Sequence, residues 1–145
     1  MNIVRSIACS SLAVLLAASA AFAQNVRLIA KGYDPVAYFT EDKAVKGDPA
    51  IAFEWDEGRY HFATQKNRDL FAAAPDRYAP RFGGYCTGSM AGGKEQPNEG
   101  DGRAWKIVDG KLYLFGSVEW RDNVLPDKPD TYAKAQQNWD KRRSR

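Results

Sequence analysis

The chain has 145 residues, with 21 Lys and Arg against 18 Asp and Glu, so its formal net charge is only +3. That near balance removes the electrostatic case for nucleic-acid binding. With 44% hydrophobic residues and two cysteines, Cys9 and Cys86, it suits one ordinary folded domain and excludes a disulfide framework.

The N-terminus reads "MNIVRSIACSSLAVLLAASAAFAQ". Arg5 gives a positive start, Ile7 to Ala18 is apolar apart from two serines, and Ala21-Phe22-Ala23 is a small-x-small cleavage pattern. The expected organisation is therefore a signal peptide over 1–23 and a single domain over 24–145. The destination is the periplasm or the exterior, with no transmembrane anchor after cleavage. Arg5 is the only charge lost, so the net charge falls to +2. Cys9 leaves too, which makes Cys86 the one thiol of the working chain. No repeat, linker or low-complexity run is apparent in what remains. Residues 91–102, "AGGKEQPNEGDG", read as a long loop, and the basic end "KRRSR" as a frayed, solvated tail.

In chain order, "YDPVAYF" opens with Asp34 as a helix cap and Pro35 at the first helical position, which predicts a short helical turn. "AIAFEWDEGRYHFAT" alternates and predicts a hairpin turning at Glu57-Gly58. That register pairs Trp55 with Tyr60 and Phe53 with Phe62, and sets His61 opposite Glu54 on the polar face. Thr64 caps a helix over "QKNRDLFAAAP", which Pro75 ends, and "PDRYAP" holds one more turn. "AWKIVDGKLYLF" predicts a second hairpin, turning at Asp109-Gly110. "DKPDTYAKAQQNWDKR" predicts a final helix capped by Asp127, with Tyr132, Ala135 and Trp139 on one stripe. The fold class is α+β: two β-hairpins, short helices and a C-terminal helix.

The segments "AKGYDPVAYFTEDKAVKG", "YHFATQKNRDLFAAAPDRYAPRFGGYC" and "AWKIVDGKLYLF" resemble the exported branch of the YHS domain family, over roughly Leu28 to Trp139. "GYDPVAYF" and "RYAPRFGGYC" are the specific blocks; the family's Tyr-His-Ser triplet is Tyr60-His61-Phe62 here. The resemblance implies a small, treble-clef-like, metal-binding core. Metal-linked members, which accompany copper-transporting ATPases and some oxygenases, keep a cysteine after the "DPV" block and another after "YxF". This chain has Ala37 and Ala63 at those places.

The remaining soft donors are Cys86, His61 and Met90, and thiolate, imidazole and thioether together suit copper(I) or another soft transition metal. Cys86 and Met90 are four apart, so a helical turn would put them on one side, although three nearby glycines weaken that helix. Glu54 is the expected orienter of His61. One alternative makes Cys86 a nucleophile with His61 as its base, a thiol-dependent enzyme. Another makes Cys86 an inert core residue beside Tyr78, Phe82 and Tyr85, in a non-catalytic protein-interaction domain without metal. Trp55, Tyr60, Trp105, Tyr113 and Trp120 either line a cleft for an organic ligand or haem, or form the core.

Overall fold

The computed structural model describes residues 26–145, so the expected signal peptide and its cleavage point lie outside the described residues. Two small sheets and six α-helices make a mixed α and β fold. Strand β1 (Arg27–Leu28) leads into a 3-10 turn, Ile29–Gly32, and then α1 (Ala37–Thr40). The first hairpin is β2 (Asp48–Trp55) and β3 (Gly58–Phe62), with β1 parallel to β3 on its other side. Helices α2 (Gln65–Ala73) and α3 (Pro75–Tyr78) follow. A second 3-10 turn, Arg81–Gly84, leads into α4 (Thr87–Ala91) and the second hairpin, β4 (Asp101–Val108) with β5 (Lys111–Phe115). Helix α5 (Val118–Asn123), a 3-10 turn and α6 (Thr131–Arg143) complete the chain.

Local chemistry explains much of this. Thr64 caps α2 as expected, its Oγ1 accepting from Asn67 N at 3.1 Å. Asp34 Oδ1 accepts from Val36 N at 2.9 Å and so starts the turn into α1. Asp109 and Gly110 both have positive φ, 50° and 71°, the tight two-residue turn the sequence predicts. The first hairpin turns one residue earlier than expected. Asp56 and Glu57 carry the positive φ values, 45° and 64°, so Phe53 pairs with Tyr60, Glu54 with Arg59 and Ala52 with His61. Gly58 starts β3 because a side chain there would run into Ile29, its Cβ only 2.6 Å from Ile29 Cγ1. Asp127 does not cap α6. It ends the last 3-10 turn, while Asp130 stands at the cap and spends its carboxylate on Lys134, at 2.5 Å. The stripe of Tyr132, Ala135 and Trp139 packs as predicted.

The second half of the chain repeats the first. Both hairpins have a strand of eight residues and one of five. Each pair of the first, from Asp48↔Phe62 to Trp55↔Gly58, recurs 53 positions later, from Asp101↔Phe115 to Val108↔Lys111, and both are irregular after the opening aspartate. Upstream, Ala30, Lys31 and Gly32 have φ of 52°, 53° and 78°; Phe82, Gly83 and Gly84 have 57°, 57° and 79°. Gly47 N donates to Gly32 O at 2.9 Å as Gly100 N does to Gly84 O at 3.0 Å. Thr64 caps α2 as Ser117 caps α5, each accepting from the N–H three residues on. The repeat that is not apparent in the sequence is thus plain in the backbone. Few residues are identical between the halves, mainly Tyr60/Tyr113, Phe62/Phe115, Asp48/Asp101 and the glycines, so the hydrophobic pattern alone hides it.

The halves interlock. Leu112 and Leu114 of β5 join Ile29, Tyr38, Phe62 and Phe71 in one core cluster. Phe82, Met90, Tyr113, Phe115 and Ala135 form the other. Tyr38 Oη donates to Gly102 O at 2.6 Å across the junction, and burial holds its phenol far above its ordinary range. The five aromatics considered as a cleft lining are divided between these clusters. Tyr60, Trp55 and Trp105 belong to the first, and Tyr113 and Trp120 to the second.

Candidate functional site

The internal repeat puts Asp34 and Cys86 at equivalent places. Asp34 N donates to Val45 O at 2.8 Å and Cys86 N to Asn98 O at 2.8 Å, and each residue precedes a short helix. The Asp34 carboxylate is fully buried and accepts from four N–H groups: Val36 N, Ala37 N, Ala63 N and Asn67 Nδ2, at 2.9, 3.4, 2.8 and 2.8 Å. Such bonds stabilise a buried carboxylate in place of water. Ala37 and Ala63, the positions where the resemblance would put metal-binding cysteines, therefore both meet at this carboxylate. In the second half Cys86 is 6% exposed and makes no capping bond with its side chain. A Cβ on Gly116 would lie 3.5 Å from its Sγ. Gly116 takes the place of Ala63, and Trp120 that of Asn67. The Trp120 ring lies against Gly88 in the first turn of α4 and stacks on Phe115 at 5.7 Å. The tightness of that contact is the reason α4 tolerates, and needs, a glycine.

Cys86 and Met90 do share one helical turn, with Met90 N donating to Cys86 O at 2.9 Å. Met90 is 2% exposed and belongs to the second core cluster. His61 stands in the other half, on β3, facing Gly32 and Gly47. Its strand neighbour on the same face is Arg59, which takes Glu54 in an exposed ion pair at 3.1 Å. Glu54 is thus not the orienter of His61, because the turn at Asp56-Glu57 moves it one pair along. The imidazole is shifted toward the neutral form: burial lowers its pKa, Arg59 and Lys46 add to that, and Asp48 opposes. Among the described residues no three His, Cys, Asp or Glu side chains are grouped as a metal site. Among the described soft donors, Cys86 and Met90 belong to the second half of the repeat and His61 to the first.

A different constellation lies where the first hairpin meets α6. Two adjoining cavities of about 340 and 220 Å³ share Asp56, Gly83, Trp139 and Arg143 in their walls. In the larger, Arg27 lies over the Tyr85 ring at 4.1 Å, and Arg142 is 5.7 Å from the same ring. Arg27 is held by Glu99 at 2.5 Å and by Gly83 O, and Arg143 reaches Asp56 at 3.2 Å. Arg142 uses one N–H, on Glu95 O at 2.7 Å. Arg81, in the wall of the smaller cavity, donates from Nη2 to Gln136 at 2.8 Å, while its buried Nε has no partner among the described residues. The sequence does not announce this cleft. Its residues come from β1, the first hairpin, the second 3-10 turn and α6, far apart in the chain. Arg142 and Arg143 sit in the segment read as a frayed tail, yet α6 runs through Arg143. The one sequence signal is "GGYC", whose first glycine, Gly83, lets the chain pass close beneath Trp139 and Arg27.

Compared with protein-family models, with curated proteins and with solved structures, the chain finds no match. Among the described residues no helix is long and apolar enough to cross a membrane.

Proposed function

We propose that this is an exported, YHS-like, non-catalytic binding module, and that its ligand is a small organic molecule held in the cleft between the first hairpin and α6. One observation carries the reading: two adjoining cavities walled by Tyr85, Trp139 and four arginines, one with N–H groups to spare and one with a buried Nε left unpaired among the described residues. Small-molecule sites have this character, a concave space with aromatic walls and a few polar groups that converge. The signal-like N-terminus supports export. The "GYDPVAYF" and "RYAPRFGGYC" blocks support the family.

The rival readings draw on Cys86. Copper(I) would need His61 or new donors brought to Cys86 and Met90. A thiol-dependent enzyme would need His61 beside the thiol. The division of these side chains between the halves favours neither. A thermal-shift screen separates them, since a ligand that prefers the native state raises the melting temperature. Under the cleft reading, organic ligands stabilise wild type and Cys86→Ser equally and Arg142→Gln less. A copper(I) shift in wild type that Cys86→Ser loses, with no organic hit, would replace it by the metal reading.

A further inference from the structure

We infer that the cleft is selective for a small aromatic monocarboxylate, an inference that rests on the binding reading above. The walls of the two cavities carry four arginines, at 27, 81, 142 and 143, against the carboxylates of Asp56, Glu57 and Asp76. Glu99 takes Arg27 and Asp56 takes Arg143, which leaves Arg142 and Arg81 in the walls of the adjoining cavities without a carboxylate partner among the described residues. Guanidinium meets carboxylate in plane, through two parallel N–H bonds. Arg142 has the free fork, since its one bond goes to a backbone carbonyl. Arg81 Nε is a donor left unpaired in the adjoining wall, and a buried donor without an acceptor is costly.

The walls next to these donors are aromatic. Trp139 borders both cavities and Tyr85 the larger, with Arg27 and Arg142 over Tyr85 and Arg143 over Trp139, so a planar ring that enters meets aromatic rings and guanidinium planes together. The larger cavity, about 340 Å³, is at the low end of small-molecule sites, which limits the ligand to roughly one ring and its carboxylate. The internal repeat supplies a control. Tyr33 is the equivalent of Tyr85 and also carries a cation over its ring, Lys46 at 4.7 Å. There β4 closes in: a Cβ on Gly102 would be 2.5 Å from Tyr33 Cδ2. The same tyrosine–cation arrangement lies against β4 in one half and borders a cavity in the other.

Isothermal titration of the whole protein with benzoate tests this, with benzamide, cyclohexanecarboxylate and inorganic phosphate as comparison probes. Benzoate is expected to bind, and benzamide and phosphate to bind at least about tenfold more weakly, a difference of about 1.4 kcal/mol. Arg142→Gln and Arg142→Lys should each weaken benzoate by about tenfold, since Lys keeps the charge but not the fork. Arg142 is exposed, and an unchanged circular dichroism spectrum confirms that the variants fold. Benzamide or phosphate binding as tightly as benzoate overturns the carboxylate assignment, and cyclohexanecarboxylate doing so overturns the aromatic one. If benzoate fails while other organic ligands still stabilise the protein through Arg142, this inference falls and the cleft reading stands. If no organic ligand does so, both fall.

Discussion

Asp34 and Cys86 stand at the same point of a repeated backbone, each donating its N–H to the returning chain and each leading into a short helix. The first is a carboxylate with four N–H donors around it; the second is a thiol beside Gly116, leading into a helix on which Trp120 packs at Gly88. One slot is held together in two ways. The Asp34 slot is bound by directed polar bonds, which fail if the acceptor goes. The Cys86 slot is bound by contact and ring stacking, which degrade gradually. Seen this way, the lone cysteine is the second half's counterpart of a structural carboxylate.

The largest effect that tests the comparison is at these two residues. Asp34→Ala should cost about 3–5 kcal/mol in urea melts, because it leaves several buried donors unpaired. Cys86→Ala should cost about 1 kcal/mol, the usual cost of a small truncation. Equal losses would mean that the two slots are held in the same way after all.

Gly100 and Gly47 come next, a pair the repeat treats alike. A Cβ on Gly100 would lie 2.5 Å from Leu114 Cβ and 2.7 Å from Gly84 O; on Gly47 it would lie 2.5 Å from the His61 backbone. Each Gly→Ala should cost about 1–3 kcal/mol from overpacking, and a thermal melt showing no loss in one of them would break the equivalence there.

The aspartates that open the hairpins differ in a way that pH should reveal. Asp101 is buried and paired with Arg103 at 2.8 Å and Lys31 at 3.1 Å, while Asp48 is exposed. Its hydrogen bonds to Arg103, then to Lys31, hold the Asp101 carboxyl far below the usual carboxylate range. The unfolded chain therefore takes up this proton first. The stabilisation is present above the ordinary carboxylate pKa of about 3.9 and is lost as pH falls through it toward the folded value. Asp101→Asn should flatten that acid limb and cost about 1–3 kcal/mol at neutral pH; Asp48→Asn should do neither. His61 acts at milder pH. Its lowered pKa means the unfolded state protonates first, so stability falls as pH drops through about 6.5, and His61→Gln should remove that dependence in melts at pH 7 and pH 5.

The smallest effect is a gain. The first hairpin turns on Asp56-Glu57 where the second has Asp109-Gly110. Glu57→Gly relieves a side chain at φ 64° and should stabilise by about 0.5–1 kcal/mol. A loss would show that Glu57 is held there by something other than the turn.

The elements were largely legible from the residues alone. Asp109-Gly110, the Thr64 cap and the stripe on α6 are local signals, read over a few residues and enforced by backbone geometry. Helix α5 left a weaker local mark in Ser117, its cap, followed by Glu119 in the first turn. The register of the first hairpin was missed because Asp56-Glu57 lacks the glycine that marks such turns, and Gly58 drew the turn one residue on. The missed register carried Glu54 away from His61. The cleft was not legible at all. It exists because β1, the first hairpin, the second 3-10 turn and α6 meet, and only the packing of the two halves brings Arg27, Tyr85 and Arg142 within reach of one another.

What the sequence determined by itself was the set of elements, since caps, turns and periodicity act between residues close in the chain. The tertiary structure decided which chemistry is shared: it put Arg27 and Arg142 over Tyr85 and Arg143 over Trp139. The repeat, too, is a property of the backbone. Equivalent positions share φ, register and hydrogen bonds, which many different side chains can satisfy.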